Sequence, residues 1–186
     1  RFGSTSSDKV LAAHLLTDSA IVVGGATLGV VAGSTNAGGY DAFVLKTGVG
    51  VSPLGYQQGT TADEAVTTLA YASYLPNAVF LVGGYTFGAL DSPLGGQTLG
   101  GQDGFFWRID SSNFGKTFGA QIGSTGSDAV TSVRAIDLNN QEYFLFSATT
   151  TGSWAGANPV GGRDCVIGQF AMEPSSLPEL RWLWQS

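Results

Sequence analysis

The sequence GGYDAFVLK, at positions 38–46, is the first of three copies of one motif, and this repetition indicates the fold of the chain. Two glycines lead, an aspartate follows after one intervening residue, and a run of mostly apolar residues completes the motif. The other copies are GGQDGFFWR at 100–108 and GGRDCVIGQ at 161–169, and the aspartates Asp41, Asp103 and Asp164 lie 62 and 61 residues apart. A fixed period of this length indicates a repeat architecture.

Three further motifs keep the same period and the same order. The first is GSTSSDKV at 3–10, GTTADEAV at 59–66 and GSTGSDAV at 123–130; the second is AIVVGGAT at 20–27, AVFLVGGYT at 78–86 and EYFLFSATT at 142–150. The glycine-led motif comes third, and the fourth is LGYQQG at 54–59, GAQIG at 119–123 and LWQS at 183–186. The chain therefore reads as a single domain of three repeats, roughly 3–58, 59–122 and 123–186.

Each repeat has four short runs rich in Val, Ile, Leu, Phe, Tyr and Thr, separated by Gly, Asn, Asp, Ser or Pro. Such runs predict β-strands with tight connections, and four strands per repeat at this period are typical of a β-propeller blade. The predicted fold class is all-β, with three four-stranded antiparallel blades that form a partial propeller or half of an oligomeric ring. The segment 60–75 also has the pattern of a capped amphipathic helix, but its counterparts favour strands, and we predict strands in all three.

Charge and composition argue against several classes of function. The net charge is −6 and the eight Lys and Arg residues are scattered singly, so no cationic cluster exists for nucleic acid or for an anionic membrane surface. No apolar run is long enough to span a membrane, and we expect no direct membrane insertion. The single cysteine, Cys165, excludes a disulfide within the chain. Low charge and abundant Gly, Ser and Thr favour an extracellular or luminal setting.

The glycine pair and the aspartate of the third motif are predicted to build a turn at a strand entrance. Glycine tolerates positive φ, and a short carboxylate accepts hydrogen bonds from nearby backbone N–H groups. The alternative is calcium, which needs roughly 6–8 oxygen ligands, whereas each repeat offers one aspartate here and one first-motif acid elsewhere. We predict no metal site and no cofactor, and assign the turn role to Gly38, Gly39, Asp41, Gly100, Gly101, Asp103, Gly161, Gly162 and Asp164.

Two residue types that often act in catalysis occur once each. Cys165 takes the position of Ala42 and Gly104 in the other repeats, which predicts inert packing at a small-residue position. His14 aligns with Ala70 and Arg134, which favours an exposed strand face, and no G-x-S-x-G motif accompanies it. We therefore predict no catalytic residue.

The loops that follow the second motif differ most between the repeats. They are long and Gly-rich, and variable loops on a regular scaffold are where binding usually resides. Phe87 and Trp154 are therefore candidate binding-loop residues; the alternative is that they and Leu28 tuck under the loops as hydrophobic plugs. Trp182 and Trp184 in the last strand are predicted to pack between blades or, if exposed, to stack on sugar rings.

With these motifs the chain resembles the seven-bladed β-propeller repeat family, SBBP. That family's unit runs G-x-x-x-x-D-x-[AV], an apolar strand ending in G-x-T, then G-G-x-D-A-F-[VL]-x-K and W-x-x-Q. NAGGYDAFVLK at 36–46 matches closely, VVGGAT, LVGGYT and WLWQS fit, and GGRDCVIGQF in the third repeat departs at the small and apolar positions. The resemblance implies a secreted or cell-envelope protein and brings no catalytic residues.

Three blades are fewer than the 4–8 of an ordinary closed propeller. The first repeat starts just after the place of a fourth motif and the chain ends in one, so the last strand could pair beside the first unit in the usual closing manner. Three arrangements are open: a fragment of a longer propeller, two chains in a six-bladed ring, or three open blades with covered edges. Because an open sheet edge invites pairing, we expect a protein partner or self-association.

The sequence favours a non-enzymatic structural or interaction module, acting as a scaffold or accessory subunit of a larger extracellular, cell-envelope or luminal assembly. The alternative is a carbohydrate-binding, lectin-like propeller, which predicts exposed aromatic residues at matching positions in each blade. A third hypothesis is a hydrolase or lyase at a propeller channel, in which Asp41, Asp103 and Asp164 would converge.

Overall fold

The computed structural model of the chain describes residues 3–16, 19–31, 33–73, 77–93, 100–138, 141–154, 161–171 and 179–185. These residues form strands, turns and loops, and none of their segments is a helix long and apolar enough to cross a membrane. The strands are β1 Asp8–Leu15, β2 Ala20–Thr27, β3 Asp41–Gly48, β4 Val51–Gln58, β5 Glu64–Ala72, β6 Val79–Thr86, β7 Asp103–Asp110, β8 Lys116–Ile122, β9 Asp128–Leu138, β10 Gln141–Thr150, β11 Asp164–Ala171 and β12 Glu179–Gln185.

The strands form three four-stranded antiparallel sheets, each made of four consecutive strands. We call them blade 1 (β1–β4), blade 2 (β5–β8) and blade 3 (β9–β12). The predicted all-β fold with three antiparallel blades is confirmed. The alternative in which the last strand pairs beside the first repeat is wrong, because β12 pairs with β11 as the fourth strand of its own blade. The four motifs of a repeat are the four strands of one blade, in order.

A β-bulge explains why the segment 60–75 also has a helical pattern. Its strand, β5, pairs with β6 with a shift between Val66 and Thr68, so that Thr67 is an extra residue. The bulge places Val66 and Leu69, three residues apart, in the same apolar cluster, as one face of a helix would. The same irregularity occurs between Val10 and Ala12 in β1, and where β9 pairs with β10. The bulge is therefore a feature of the repeat.

Neighbouring blades are joined by apolar cores that contain residues of both. Val66 of blade 2 lies over Gly24 of blade 1, and Val130 of blade 3 lies over Gly83 of blade 2. A Cβ at either glycine would stand 2.5 Å from a methyl carbon of the facing valine. Only a residue without a side chain permits this close approach, which accounts for a glycine of the second motif in the first two repeats.

Candidate functional site

The recurring aspartate of blade 1 is buried and tied to a glutamine of the fourth motif. The carboxylate of Asp41 accepts hydrogen bonds from the N–H of Ala37 at 3.1 Å and from Nε2 of Gln57 at 2.9 Å. The same Nε2 donates to the carbonyl of Gly29, and Oε1 of Gln57 accepts the N–H of Val31, both at 2.9 Å. One glutamine therefore connects the end of β4, the start of β3 and the loop between β2 and β3.

Blade 2 repeats this arrangement. Asp103 accepts the N–H of Gly100 and Nε2 of Gln121, each at 3.0 Å. Gln121 also donates to the carbonyl of Gly88 and accepts the N–H of Leu90, again at 3.0 Å. Sequence reasoning found the fourth motif but not this role of its glutamine; the recurrence of Gln at the same position, 57, 121 and 185, was the available signal.

The acids of the first motif are held by hydroxyl groups. Glu64 accepts the backbone N–H and the hydroxyl of Thr60, each at 2.7 Å, and the hydroxyl of Thr86 at 3.1 Å. In blade 3, Asp128 accepts the N–H of Ser124 on Oδ2 and the indole N–H of Trp154 on Oδ1, each at 2.6 Å. The bonds from Thr60 and Ser124 hold the loop before the first strand of blades 2 and 3, and the bond from Trp154 ties the loop after β10 to the start of β9.

Each joint between blades brings two carboxylates together across a glycine. At Gly59 a Cβ would overlap Oδ1 of Asp41 and would lie 2.9 Å from Oε2 of Glu64. At Gly123 a Cβ would overlap Oδ1 of Asp103 and would lie 3.2 Å from Oδ2 of Asp128. The first residue of the second and third repeats is therefore glycine because two acids, one from each blade, occupy the space of a side chain.

The pKa values respond to this environment. Burial raises the pKa of Glu64, and the nearby charge of Asp41 acts in the same direction against the hydrogen bonds from Thr60 and Thr86. Burial likewise raises the pKa of Asp103, with the charge of Asp128 contributing. Asp8 holds the same position as Glu64 but lies exposed; despite some burial, the hydrogen bonds from Thr27 and Ser4 lower its pKa.

Amide variants of Glu64 and Asp8 are expected to respond to pH in opposite directions. Because the pKa of Glu64 is raised on folding, its favourable contribution is present below about pH 4.5 and is lost as the pH rises through the folded value. The pKa of Asp8 is lowered, so its contribution is present above about pH 4 and is lost as the pH falls. Relative to the unchanged protein, Glu64→Gln should gain stability with rising pH and Asp8→Asn should lose it.

Urea unfolding of the three proteins from about pH 3 to pH 7 measures these differences. Asp8→Asn is the matched control, because it removes the same charge from the equivalent position of another blade. Differences of the same sign for the two variants would contradict the assignment of opposite shifts.

The predicted turn glycines differ in what lies next to them. A Cβ on Gly38 would stand 2.7 Å from Cα of Thr61, and a Cβ on Gly100 would overlap the carbonyl oxygens of Gly126 and of Ser124 in the next blade. Gly39 is equally close to Ala62. Among the described residues, nothing lies within 4 Å of the corresponding point at Gly101, Gly161 and Gly162. Both glycines of the pair in blade 1, and the first glycine of the pair in blade 2, thus pack against the next blade. In blade 3, Asp164 is buried beside its glycine pair.

The residues considered for catalysis or metal binding do not form a common site. Within the described ranges, no three His, Cys, Asp or Glu side chains are placed to hold a metal ion. His14 is half-buried, with its ring 5.6 Å from that of Tyr71. Its counterpart Ala70 is buried, so the expectation of an exposed face at this position is wrong for blade 2, where the next blade covers it. Cys165 is exposed, contrary to the predicted packing role.

The loops between the second and third strands of the blades carry two kinds of apolar residue. One is buried: Val31, Leu90 and Trp154 take equivalent positions, and Trp154 is only 1% exposed. The other is exposed: Leu28 and Phe87 take a second equivalent position, and Phe87 is 51% exposed. Of the two candidate binding-loop aromatics, therefore, only Phe87 is available for contact, and Trp154 has the position of a plug. The side chains of Trp182 and Trp184 lie outside those that the structure describes.

Comparison of the chain with protein-family models and with curated proteins finds no match in either.

Proposed function

We propose that this protein is a non-enzymatic interaction module, which holds loops at one end of a rigid three-bladed scaffold against a protein partner. The observation that carries the proposal is the use of the recurring polar side chains. Asp41, Asp103, Gln57 and Gln121 are buried and bonded to one another and to loop backbone. These acids therefore have a structural reason to recur, and the loops that they brace are the part of the repeat that varies.

The end of the blades that carries these loops offers apolar side chains to a partner. Leu28, Val30 and Phe87 are all at least two-fifths exposed on the loops after β2 and β6, in neighbouring blades. Exposed apolar side chains on loops at one end of a scaffold are available for contact with a protein partner. Gln57 and Gln121 bond to the backbone of these loops. The loops are therefore ordered before a partner binds, and binding costs little conformational entropy.

The alternatives have less support. A lectin-like propeller predicts an exposed aromatic in every blade, but the position of Phe87 is held by Leu28 in blade 1 and by Thr151 in blade 3. A hydrolase or lyase needs acids that face a substrate, whereas Asp41 and Asp103 are buried within separate joints. Membership of the SBBP family, and a place in an extracellular, cell-envelope or luminal assembly, are part of this proposal and rest on the motifs and the composition.

Site-specific photo-crosslinking tests the proposal. A photoreactive amino acid replaces Phe87 in one protein and Val49 in a matched control, since Val49 is fully exposed on the β3–β4 turn at the opposite end of blade 1. We expect a discrete protein adduct from position 87 and none from position 49 in the protein's native extract. Adducts of equal yield at both positions, or none at either, would count against the proposal.

A further inference from the structure

Each blade has two faces that can take part in a joint, and two such faces have no neighbouring blade among the residues that the structure describes. The leading face of blade 1 is defined by Val10, Leu15 and the loop 4–7. The trailing face of blade 3 is defined by Cys165, Ile167 and the pair Gly161 and Gly162. Their counterparts in the middle of the chain meet in the two internal joints, so the structure shows how faces of this type bind.

Side chains that are buried in the internal joints are exposed on these two faces. Val10 is 47% exposed, whereas its counterparts Val66 and Val130 are fully buried. Ile167 is 42% exposed, whereas its counterparts Val44 and Phe106 are no more than 2% exposed. Leu15 adds a leucine that is 71% exposed on the same strand as Val10.

We propose that the trailing face of blade 3 binds the leading face of blade 1 in a second copy of this chain, through the same joint that links the blades within it. This inference rests on the proposed function as an interaction module and identifies one partner of that module. Every copy carries one leading face and one trailing face. In the internal joints a trailing face of one blade always contacts the leading face of the next, so the two free faces are of the two kinds that bind each other.

The internal joints predict individual contacts. Val130 lies against Gly83 and Gly104, so Val10 of the second copy would lie against Ser147 and Cys165, which hold the equivalent positions. The hydroxyl of Thr67 donates to the carbonyl of Val130 across the joint at 2.6 Å. The equivalent donor on the trailing face is Thr131, an exposed residue whose hydroxyl contacts Ser147 of its own blade; it would turn to the carbonyl of Val10.

The loops complete the joint. In the internal joints at least the first glycine of the pair packs against the next blade's first-motif loop. The N–H groups of Glu64 and Asp128 donate to the carbonyls of Tyr40 and Gln102 at 2.6 and 2.8 Å. At Gly161, the counterpart of that first glycine, no described residue lies within 4 Å of the corresponding point. Residues 5–7 of the loop 4–7 are exposed, and the loop has the first-motif sequence. It could therefore occupy the space at Gly161 of a second copy. The N–H of Asp8 would then donate to the carbonyl of Arg163, as the N–H groups of Glu64 and Asp128 do in the internal joints.

Two features make the joint between copies weaker than the internal ones. Ser147 stands where the internal joints have Gly24 and Gly83, so the valine cannot approach as closely. Phe43 and Leu45, on the middle strand of blade 1, are already buried, so the second copy would contact mainly β1 and the loop before it. We therefore expect reversible association. Two copies joined at both pairs of faces would give six blades, within the usual 4–8 of closed propellers.

Sedimentation velocity over a range of concentrations tests the inference. The protein should show a concentration-dependent species of twice 19.1 kDa. Val10→Arg and Ile167→Arg, at exposed positions, should each raise the dissociation constant about 30-fold or more with an unchanged circular dichroism spectrum. Val49→Arg, at an exposed turn outside both faces, is the matched control and should associate normally. A monomer at all concentrations, or a Val10→Arg variant that associates normally, would overturn the inference.

An equimolar mixture of the two arginine variants separates this joint from a symmetric one. Each variant keeps one intact face, so the mixture should recover a dimer with a single joint, although neither variant forms it alone. A symmetric contact between two trailing faces would instead be insensitive to Val10→Arg and would not be restored by mixing.

A cysteine at position 10 provides a second measurement. Val10→Cys should form a disulfide with Cys165 of another copy in the presence of oxidised glutathione, which accepts the two electrons, whereas Val49→Cys should not. Photo-crosslinking at position 87 in the Val10→Arg background keeps the two proposals separate. A partner adduct in this background, with the unchanged protein monomeric at all concentrations, would leave the proposed function standing and remove this inference; self-association of the unchanged protein without an adduct at position 87 would do the reverse.

Discussion

Gln121→Ala is expected to destabilise the protein by about 3–5 kcal/mol, because it removes one buried hydrogen bond to a carboxylate and three to backbone groups, which contribute about 1.5–3 and about 0.5–1.5 kcal/mol each. Gln121 is fully buried, and its amide bonds to four groups at once. Nε2 donates to the carboxylate of Asp103 and the carbonyl of Gly88, and Oε1 accepts the N–H groups of Leu90 and Asp91. Because four bonds of a buried side chain are lost together, the loss should exceed that of a typical surface substitution several-fold.

Urea unfolding followed by tryptophan fluorescence measures the loss, since Trp107 and Trp154 report on blades 2 and 3. Gln102→Ala is the matched control: its amide makes one hydrogen bond, to the carbonyl of Asp128 at 3.1 Å, and should cost about 0.5–1.5 kcal/mol. Asp103→Ala combined with Gln121→Ala should cost less than the sum of the two single changes by about 1–3 kcal/mol. Additive losses, or equal losses for Gln121→Ala and Gln102→Ala, would show that the network does not brace the loop.

The repeat period made most of the fold predictable from sequence. The three copies of each motif identified twelve strands and three blades, and comparison among the copies favoured a strand over a helix for the segment 60–75. The bulge at Thr67 was not predictable from one copy, because an extra residue in a strand gives the apolar spacing of a helix. The pairing of β12 could not be decided from the sequence, since motif order alone does not say whether a sheet is closed by its own last strand or by that of another repeat.

The chemistry of the site was less accessible to sequence reasoning. The recurring aspartates predict turns, but the glutamine that binds each of Asp41 and Asp103 lies 16 or 18 residues further along the chain, in the fourth motif. The sequence of that motif shows its period and not its partner. Trp154 and Phe87 looked alike as loop aromatics, yet one is buried and the other exposed because they stand three residues apart in the repeat. Distinguishing them requires counting from Thr150 and Thr86, the threonines that end the second strands.

Trp154→Phe is expected to cost about 2–4 kcal/mol through the loss of a single hydrogen bond to a buried charge. The indole N–H donates to Oδ1 of Asp128 at 2.6 Å, and both residues are almost completely buried. Ser124 donates its N–H and its hydroxyl to the other oxygen, Oδ2. Phenylalanine keeps most of the packing but offers no donor, so Oδ1 would lose this partner in the interior. Thermal or urea unfolding measures the change.

Trp107→Phe removes the same atoms from a similar environment and isolates the contribution of the hydrogen bond. Trp107 is equally buried, and its indole N–H donates to Asp91 at 2.7 Å. Asp91, however, keeps an ion pair with Lys116 at 2.5 Å after the change, so its charge would not be left alone. Both variants lose the same ring volume, and we expect Trp154→Phe to cost about 1–3 kcal/mol more than Trp107→Phe. Equal losses would mean that ring volume, and not the donor to Asp128, explains why a tryptophan stands where blades 1 and 2 have valine and leucine.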